Sequence, residues 1–351
     1  MKIIVDVMGG DNGPGVFVKG ALMAAEEFNV SICLVGRGEE ILQALRDEGY
    51  DNIPQGIEIA HASEVIEMED DPSTVVRVKK DSSMLAGLKM LADGYGDALV
   101  SSGNTGALLS GSTLTAKRIK GIRRAALAPI IPTLKGKAIL IDCGANIECT
   151  PEYLLQFAYM GSAYAEHILD ISNPRVGLLN IGVEKNKGTQ LQQETYRLLT
   201  EAAENGRINF IGNIESRDIM FGVCDVIVTD GYSGNIFLKT MEGMGMMFIE
   251  LLRNLFGKST KTKIAALMVN DGIRDMRKLM DYNETGGAPL LGISKPIIKA
   301  HGSAKAYTVR SAIKQAIMYV NSGIIDDITA NIDYMRVDNP AKQQAAENGQ
   351  N

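Results

Sequence analysis

The chain has 351 residues, 45% hydrophobic and 22% charged, with a formal net charge of −6. That length holds two lobes or one large sheet covered by helices, and the composition is that of a soluble globular protein. The acidic balance argues against nucleic acid or anionic lipid as a global partner, so any acidic partner must meet a local basic patch.

Four cysteines (Cys33, Cys143, Cys149, Cys224) form no Cys-x-x-Cys pair, and only three histidines occur (His61, His167, His301). A zinc site or disulfide framework is therefore not expected, no cofactor is called for, and a reducing, cytoplasmic setting fits. No run of about 18 apolar residues occurs, so no membrane-spanning helix is expected. The N-terminal "KIIVDVMGGDNGP" reads as a strand entering a tight loop. There Gly9 and Gly10 let backbone amides approach a ligand, Asp6 closes the strand, and Asp11 can cap the next helix. The spacing does not match a G-x-G-x-x-G dinucleotide fingerprint, and Pro14 enters the turn. In "EDDPSTVVRVKKDSSML", Asp81 or Ser82 is expected to cap a helix beginning near Met84.

The stretch "DALVSSGNTGALLSG" ends a strand in Ser102, Gly103, Asn104, Thr105 and Gly106 before a helix-compatible run. Small side chains, hydroxyls and a helix N-terminus with free amides suit an oxyanion, most simply phosphate. Hydroxyl capping of the helix alone is the alternative. No Gly-Lys-[Ser/Thr] follows, so a nucleoside triphosphate is not indicated. One helix further on, "AKRIKGIRRAA" holds Lys117, Arg118, Lys120, Arg123 and Arg124, five basic residues in eight positions. That is either a dock for an acidic partner or a solvated face.

Next come "AILIDCGANIE" with Asp142 and Asn146, and "LNIGVEKNKGTQ" with Glu184, Lys185 and Lys187. A lysine just before Gly188 at a helix entrance can pin a phosphate or stabilise an oxyanion. "DVIVTDGYSGNIFLK" supplies Asp230, Ser233 and Asn235, and its Val228–Gly234 matches Val100–Gly106 as V-[ST]-x-G-x-[ST]-G. Two strand–turn–helix units facing one cleft are expected from that match. A G-x-S-x-G nucleophile elbow is absent, because Asn235 stands where the last glycine belongs. "AHGSAKA" sets His301 and Ser303 around Gly302, as a site or a cap. Short apolar runs thus alternate with helical patterns along the chain. Such alternation implies an α/β fold, a three-layer α/β/α arrangement around a mostly parallel sheet, with ligands beyond the carboxyl ends of the strands.

Residues 241–278 break the pattern. Met241, Met244, Phe248, Leu251 and Leu255 step by three and four, the spacing of a helical seam. A projecting helical hairpin is expected there, pairing subunits and carrying Ile264, Leu267, Met268 and Val269 at a tip flanked by lysines and arginines that include Arg277 and Lys278. Residues 1–335 form the expected two-lobed catalytic unit around it, and the polar tail 338–351 is expected to be disordered.

Taken together, "VDVMGGDNGP", "MEDDPSTVVRVKKDSSM", "SSGNTGALLSG", "IDCGANIE", "NIGVEKNKG", "VTDGYSGNIFLK" and "AHGSAKA" resemble the bacterial phosphate acyltransferases of phospholipid synthesis, from residue 2 to about residue 330. The resemblance implies transfer of a fatty acyl group from acyl carrier protein to inorganic phosphate. It also implies a homodimer, coupling to a membrane glycerol-3-phosphate acyltransferase, and peripheral contact with the cell membrane. Its implied fold is like isocitrate and isopropylmalate dehydrogenases and phosphotransacetylase. By that analogy Lys187 and Asn235 are the expected chemical pair. Ser102, Gly103, Asn104, Thr105 and Gly106 would cradle phosphate. Asp6, Gly9, Gly10, Asp11, Asp142, Asn146, Asp230, Ser233 and His301 are expected orienting groups. Two rivals remain at this stage: a dehydrogenase of the same fold class, and a non-catalytic scaffold that binds carrier protein or lipid.

Overall fold

The structure is a computed structural model, and it describes residues 1–280 and 286–337. The apolar run of β1 (Lys2–Asp6) is followed by α1 (Pro14–Phe28), β2 (Ser31–Gly36), α2 (Gly38–Asp47) and β3 (Ile57–His61). Next come α3 (Val75–Val78), α4 (Ser83–Ala92), β4 (Ala98–Ser101), α5 (Thr105–Thr115) and β5 (Ala126–Leu127). The chain then builds a second sheet from β6 (Ile130–Thr133), β7 (Gly136–Ile141), α6 (Pro151–Leu169), β8 (Arg175–Asn180) and α7 (Gln190–Glu204). Strand β9 (Asn209–Glu215), α8 (Ser216–Ile219) and β10 (Val226–Val228) complete it. After α9 (Gly231–Gly257), α10 (Thr260–Met268) and α11 (Asn270–Met280), it returns to the first sheet. That return is made by β11 (Gly287–Leu291), β12 (Ile297–Ala300), α12 (Ala306–Asn321) and α13 (Ile324–Ala330).

The first sheet runs β3-β2-β1-β4-β12-β11-β5 and the second β6-β7-β10-β8-β9. Pairing is parallel except where β11 meets β12 and β5, and where β6 meets β7. Helices flank both sheets, as expected for an α/β fold whose strands are buried on both faces. One cluster of buried apolar residues joins them, running from Ile3 and Val5 through Phe157 and Tyr164 to Ile313. Helix α6 lies at its centre, where Tyr164 meets Tyr319 of α12 edge-on at 6.2 Å and takes a 3.0 Å hydrogen bond from Gln315 Nε2. Truncating a fully buried aromatic such as Phe157 to alanine costs about 3–5 kcal/mol.

Two capping expectations fail. Helix α1 starts after Gly13 with no side-chain cap, and Asp11 instead gives its amide to Gly302 O at 2.9 Å. Ser82 holds the N-cap position of α4 without capping it, while Asp81 accepts from Ser63. Only for Asp81 does a contact distant in sequence take the place of the cap; the Ser82 hydroxyl makes no hydrogen bond.

Helix α9 is anchored by its first turn, where Gly231 and Gly234 are buried, and most of its later residues are exposed. Helix α10 packs back on it, with Thr262 Oγ1 donating to Phe256 O at 2.9 Å, and α11 leads toward β6. The side chains of Arg277 and Lys278, and the tail 338–351, lie outside the described residues. No described helix is long and apolar enough to cross a membrane.

Candidate active site

Strands of both sheets end at one cleft of about 360 Å³. Its lining is mixed in chemistry. Thr105, Asn235, Lys239, Glu242, Lys299, His301 and Thr308 supply polar groups, and Leu127, Pro129, Ile130, Ile131, Leu238 and Met241 supply apolar ones.

The first polar loop follows β4. Ser101 Oγ donates to Asp6 Oδ2 at 2.7 Å and accepts the Gly103 amide at 3.2 Å, fixing the start of the turn. Asp6 is buried, and burial raises its carboxyl above the usual range. Gly9 and Gly10 close over this loop. A Cβ on Gly9 would lie 2.6 Å from Gly103 Cα, and one on Gly10 would lie 2.4 Å from the Phe17 ring. Side chains there are excluded.

Asn104 is spent on architecture: its Oδ1 caps α5 at the Ala107 amide (3.0 Å), and its Nδ2 donates to Met68 O (3.0 Å) and Asp70 O (3.2 Å). The amides of Thr105 and Gly106 precede Ala107 in the first turn, where a helix makes no bonds of its own. Thr105 lines the cleft, whereas Ser102 and Gly103 are buried just behind it.

The second polar loop is organised by Asp142. Its carboxylate accepts from the amides of Leu127 (2.8 Å), Cys143 (2.7 Å) and Asn146 (2.6 Å). Burial pushes its pKa up to about 6 against those bonds. Asn146 Nδ2 reaches Ala125 O at 2.8 Å, so β5 and β7 are stitched at their ends. Asp230 caps α9, accepting the Ser233 amide at 2.8 Å and its hydroxyl at 2.9 Å. These bonds set the first turn of α9, and Asn235 one turn on faces Gly144 in the cleft.

The first V-[ST]-x-G-x-[ST]-G loop borders this cleft through Thr105; no residue of the second lines it, although Asn235, the residue that follows that motif, does. Their caps differ. The first uses Asn104 at the fifth motif position and the second Asp230 at the third, so the helices start two residues apart.

Of the two cleft lysines, the sequence pattern did not single out Lys299. Lys239 Nζ bonds Glu242 at 2.8 Å and lies 3.4 Å from His301 Nε2, and His301 Nδ1 lies 2.8 Å from Ser303 Oγ. Burial, then the Lys239 charge, holds the His301 imidazole below its ordinary value. A positively spaced lysine near the second motif was the signal for Lys239, and a lone lysine in the apolar run "PIIKA" was the signal for Lys299.

Lys187 sits on the exposed turn after β8 and is not among the residues lining the cleft. Asn180 Nδ2 holds its carbonyl at 3.1 Å. Ile147, Ile181, Val183, Tyr232 and Ile236 are exposed on the same carboxyl edge of the second sheet.

The basic residues 117–124 form an irregular loop, not a helix face. Lys117 has φ 66, Arg123 pairs with Glu152 at 3.1 Å, and Arg124 lies over the Tyr153 ring at 5.7 Å. Ile264, Leu267, Met268 and Val269 are exposed, Met268 at 83%. Among the described residues no three His, Cys, Asp or Glu side chains gather as a metal site requires.

A family profile described as "Fatty acid synthesis protein" matches residues 1–327. A phosphate acyltransferase of Thermoanaerobacterium thermosaccharolyticum is 46% identical over 333 residues, 95% of this chain and 97% of that protein. One from Bacillus licheniformis is 44% identical over 326 residues, 92% of this chain and 96% of that protein. Among solved structures, a phosphotransacetylase from Streptococcus pyogenes has a TM-score of 0.60 at 16% identity, covering 91% of this chain and 94% of its own. A 4-hydroxythreonine-4-phosphate dehydrogenase from Klebsiella pneumoniae has a TM-score of 0.52 at 12% identity, covering 92% and 98%. At those identities the likeness is one of fold. With its whole-length match to the family profile and its close sequence relatives, the chain belongs to the fatty acid synthesis protein family and stands among its phosphate acyltransferases.

Proposed function

We propose that this enzyme moves a fatty acyl group from acyl carrier protein to inorganic phosphate, giving acyl phosphate for phospholipid synthesis. One observation carries the reading: the same cleft is lined by polar groups, with Thr105, Lys299, His301 and Asn235, and by apolar ones, with Ile130, Ile131, Leu238 and Met241. An acyl thioester attacked by phosphate needs both.

Phosphate already has nucleophilic oxygens at neutral pH, so the protein's task is to orient it and to stabilise the oxyanion of the tetrahedral intermediate. A phosphate oxygen bonds the carbonyl carbon, the carbon–sulfur bond breaks, and the phosphate proton ends on the departing thiol. In this reading the α5 N-terminus, with Ser102, Gly103, Thr105 and Gly106, receives phosphate, and Asn104 holds that turn in place. Asn235 donates to the developing oxyanion, and Lys187, on the exposed turn after β8, supplies charge to it once substrate is bound. Asp6, Asp11, Asp142, Asn146, Asp230 and Ser233 orient the loops, and His301 borders the reacting atoms.

The acidic carrier is proposed to dock on the Lys117–Arg124 loop. The seam of α9 is proposed to pair two subunits, with Ile264–Val269 touching the inner face of the membrane, where a glycerol-3-phosphate acyltransferase takes the product. Buried apolar side chains and flanking cations both favour such contact. Thiol release from acyl carrier protein, measured with and without phosphate, tests the reaction. Release that ignores phosphate refutes it.

A further inference from the structure

Three adjacent strands bring polar side chains together at their carboxyl ends, beside the cleft. Strand β1 ends in Asp6, β4 ends in Ser101, and Lys299 of β12 is the register partner of Ser101. Asp6 and Ser101 satisfy each other through their 2.7 Å bond. The Lys299 ammonium donates instead to two neutral carbonyls, Ser102 O at 3.0 Å and Ala300 O at 2.7 Å. An ammonium has three protons to give. Lys299 is half-buried and lines the cleft beside Thr105, His301 and Gly302, and among the described residues no carboxylate pairs with it. A partly desolvated cation bonded only to neutral groups is costly, and an arriving anion offsets that cost. The Ser102 hydroxyl is fully buried and has no hydrogen-bond partner.

We propose that Lys299 reads the charge of the phosphate substrate. Two ammonium protons hold the carbonyls of Ser102 and Ala300, and the third goes to a phosphate oxygen. This rests on acyl transfer to phosphate and adds a binding residue to it.

The charged groups facing Lys299 are Asp6 at the end of β1, Asp11 in the following loop, Lys239 on α9, and His301 beyond β12. Burial lowers the Lys299 pKa to about 8, with Lys239 adding to the depression and Asp11 and Asp6 opposing it. The ammonium is therefore present below about pH 8 and is lost above it. Anion binding should follow the same course.

Lys299→Met should raise the phosphate KM by about 10- to 100-fold, the range of a lost hydrogen bond to a charged group. The thioester KM should stay near wild type, a selectivity for phosphate that a merely structural lysine would not show. Sulfate keeps its charge across this range, so its inhibition constant against phosphate, in the wild-type protein, reports the protein group alone. That constant should be flat up to about pH 8 and then rise toward tenfold per pH unit. The sulfate titration decides the matter should Lys299→Met fail to fold. An unchanged phosphate KM in a folded variant, or a flat sulfate profile, overturns the role of Lys299. Wild-type thiol release that ignores phosphate overturns the acyl-transfer reading instead, and sulfate binding by calorimetry then still tests the lysine.

Discussion

A single methyl group on Gly234 tests how the second polar loop aims α9. A Cβ there would lie 2.0 Å from the Asp142 carbonyl oxygen and 2.9 Å from Thr229 Cγ2. The Asp142 backbone cannot yield as a side-chain tip would, because its carboxylate is held by three amides and its own amide bonds Thr229 O at 2.9 Å. The first turn of α9 must therefore retreat by more than an ångström. Overpacking of this kind costs about 1–3 kcal/mol. Alanine regains at most about 1 kcal/mol over glycine in a helix. Gly234→Ala should thus be destabilised on balance. Asn235, Leu238, Lys239 and Met241 follow on the same helix and line the cleft. A misplacement of about 1 Å there should lower turnover by about 100-fold. Gly243 is the internal control: it lies on the same helix with nothing within 4 Å of its would-be Cβ. Gly243→Ala should gain up to about 1 kcal/mol from helix propensity. Thermal denaturation followed by circular dichroism, with phosphate-dependent thiol release on the same samples, reads both effects. A Gly234→Ala protein as stable and as active as Gly243→Ala would show that the Asp142 contact does not position α9.

Asn235→Ala and Lys187→Ala should each lower turnover by roughly 100-fold while leaving the fold intact, the scale of a lost oxyanion donor; a fully active variant removes its residue from the chemistry. Burial pushes the Cys143 thiol up to about 12, so it stays protonated at neutral pH despite lining the cleft. Incubation with acyl thioester and no phosphate should therefore leave no acyl adduct by intact-mass spectrometry, and an adduct on Cys143 would mean a covalent route. Reversing Arg123 and Arg124 to Glu should raise the carrier KM more than it changes maximal rate, an effect that shrinks as salt screens charges beyond about 8–10 Å. An unchanged constant at low salt moves the dock elsewhere. Replacing Leu267 and Val269 with Glu should abolish sedimentation with anionic vesicles and leave soluble activity and subunit association intact; monomers instead would assign those residues to the subunit interface.

The α/β class was legible because buried parallel strands such as β1, β2 and β10 are unbroken apolar runs. The rest of the first sheet was harder to see. Strand β5 has two residues, Pro289 interrupts β11, and Lys299 interrupts β12. Their strand character comes from pairing with distant segments, which no local period announces. At the site, the glycine and hydroxyl loops stood out because few other functions need small residues in that order. Lys299 did not, since a lysine in a strand reads as surface until the fold places it in a cleft. Asn104 shows the opposite case. Its position in the hydroxyl loop suggested a ligand, while its amide is occupied by the 68–70 segment, thirty-odd residues away in sequence. The shared motif of the two loops likewise concealed different caps, because a cap depends on which side chain reaches the third helical amide.

The central claim is that an acyl group passes from a carrier thioester directly to phosphate in the cleft between the two sheets. Acyl-loaded carrier protein and isotopically labelled inorganic phosphate, incubated with the purified chain, provide the most direct measurement. The account predicts labelled acyl phosphate, trapped as a hydroxamate, formed in equal amount to the carrier thiol released, and no release when phosphate is withheld. Thiol released at the same rate without phosphate, or label absent from the acyl product, would contradict it.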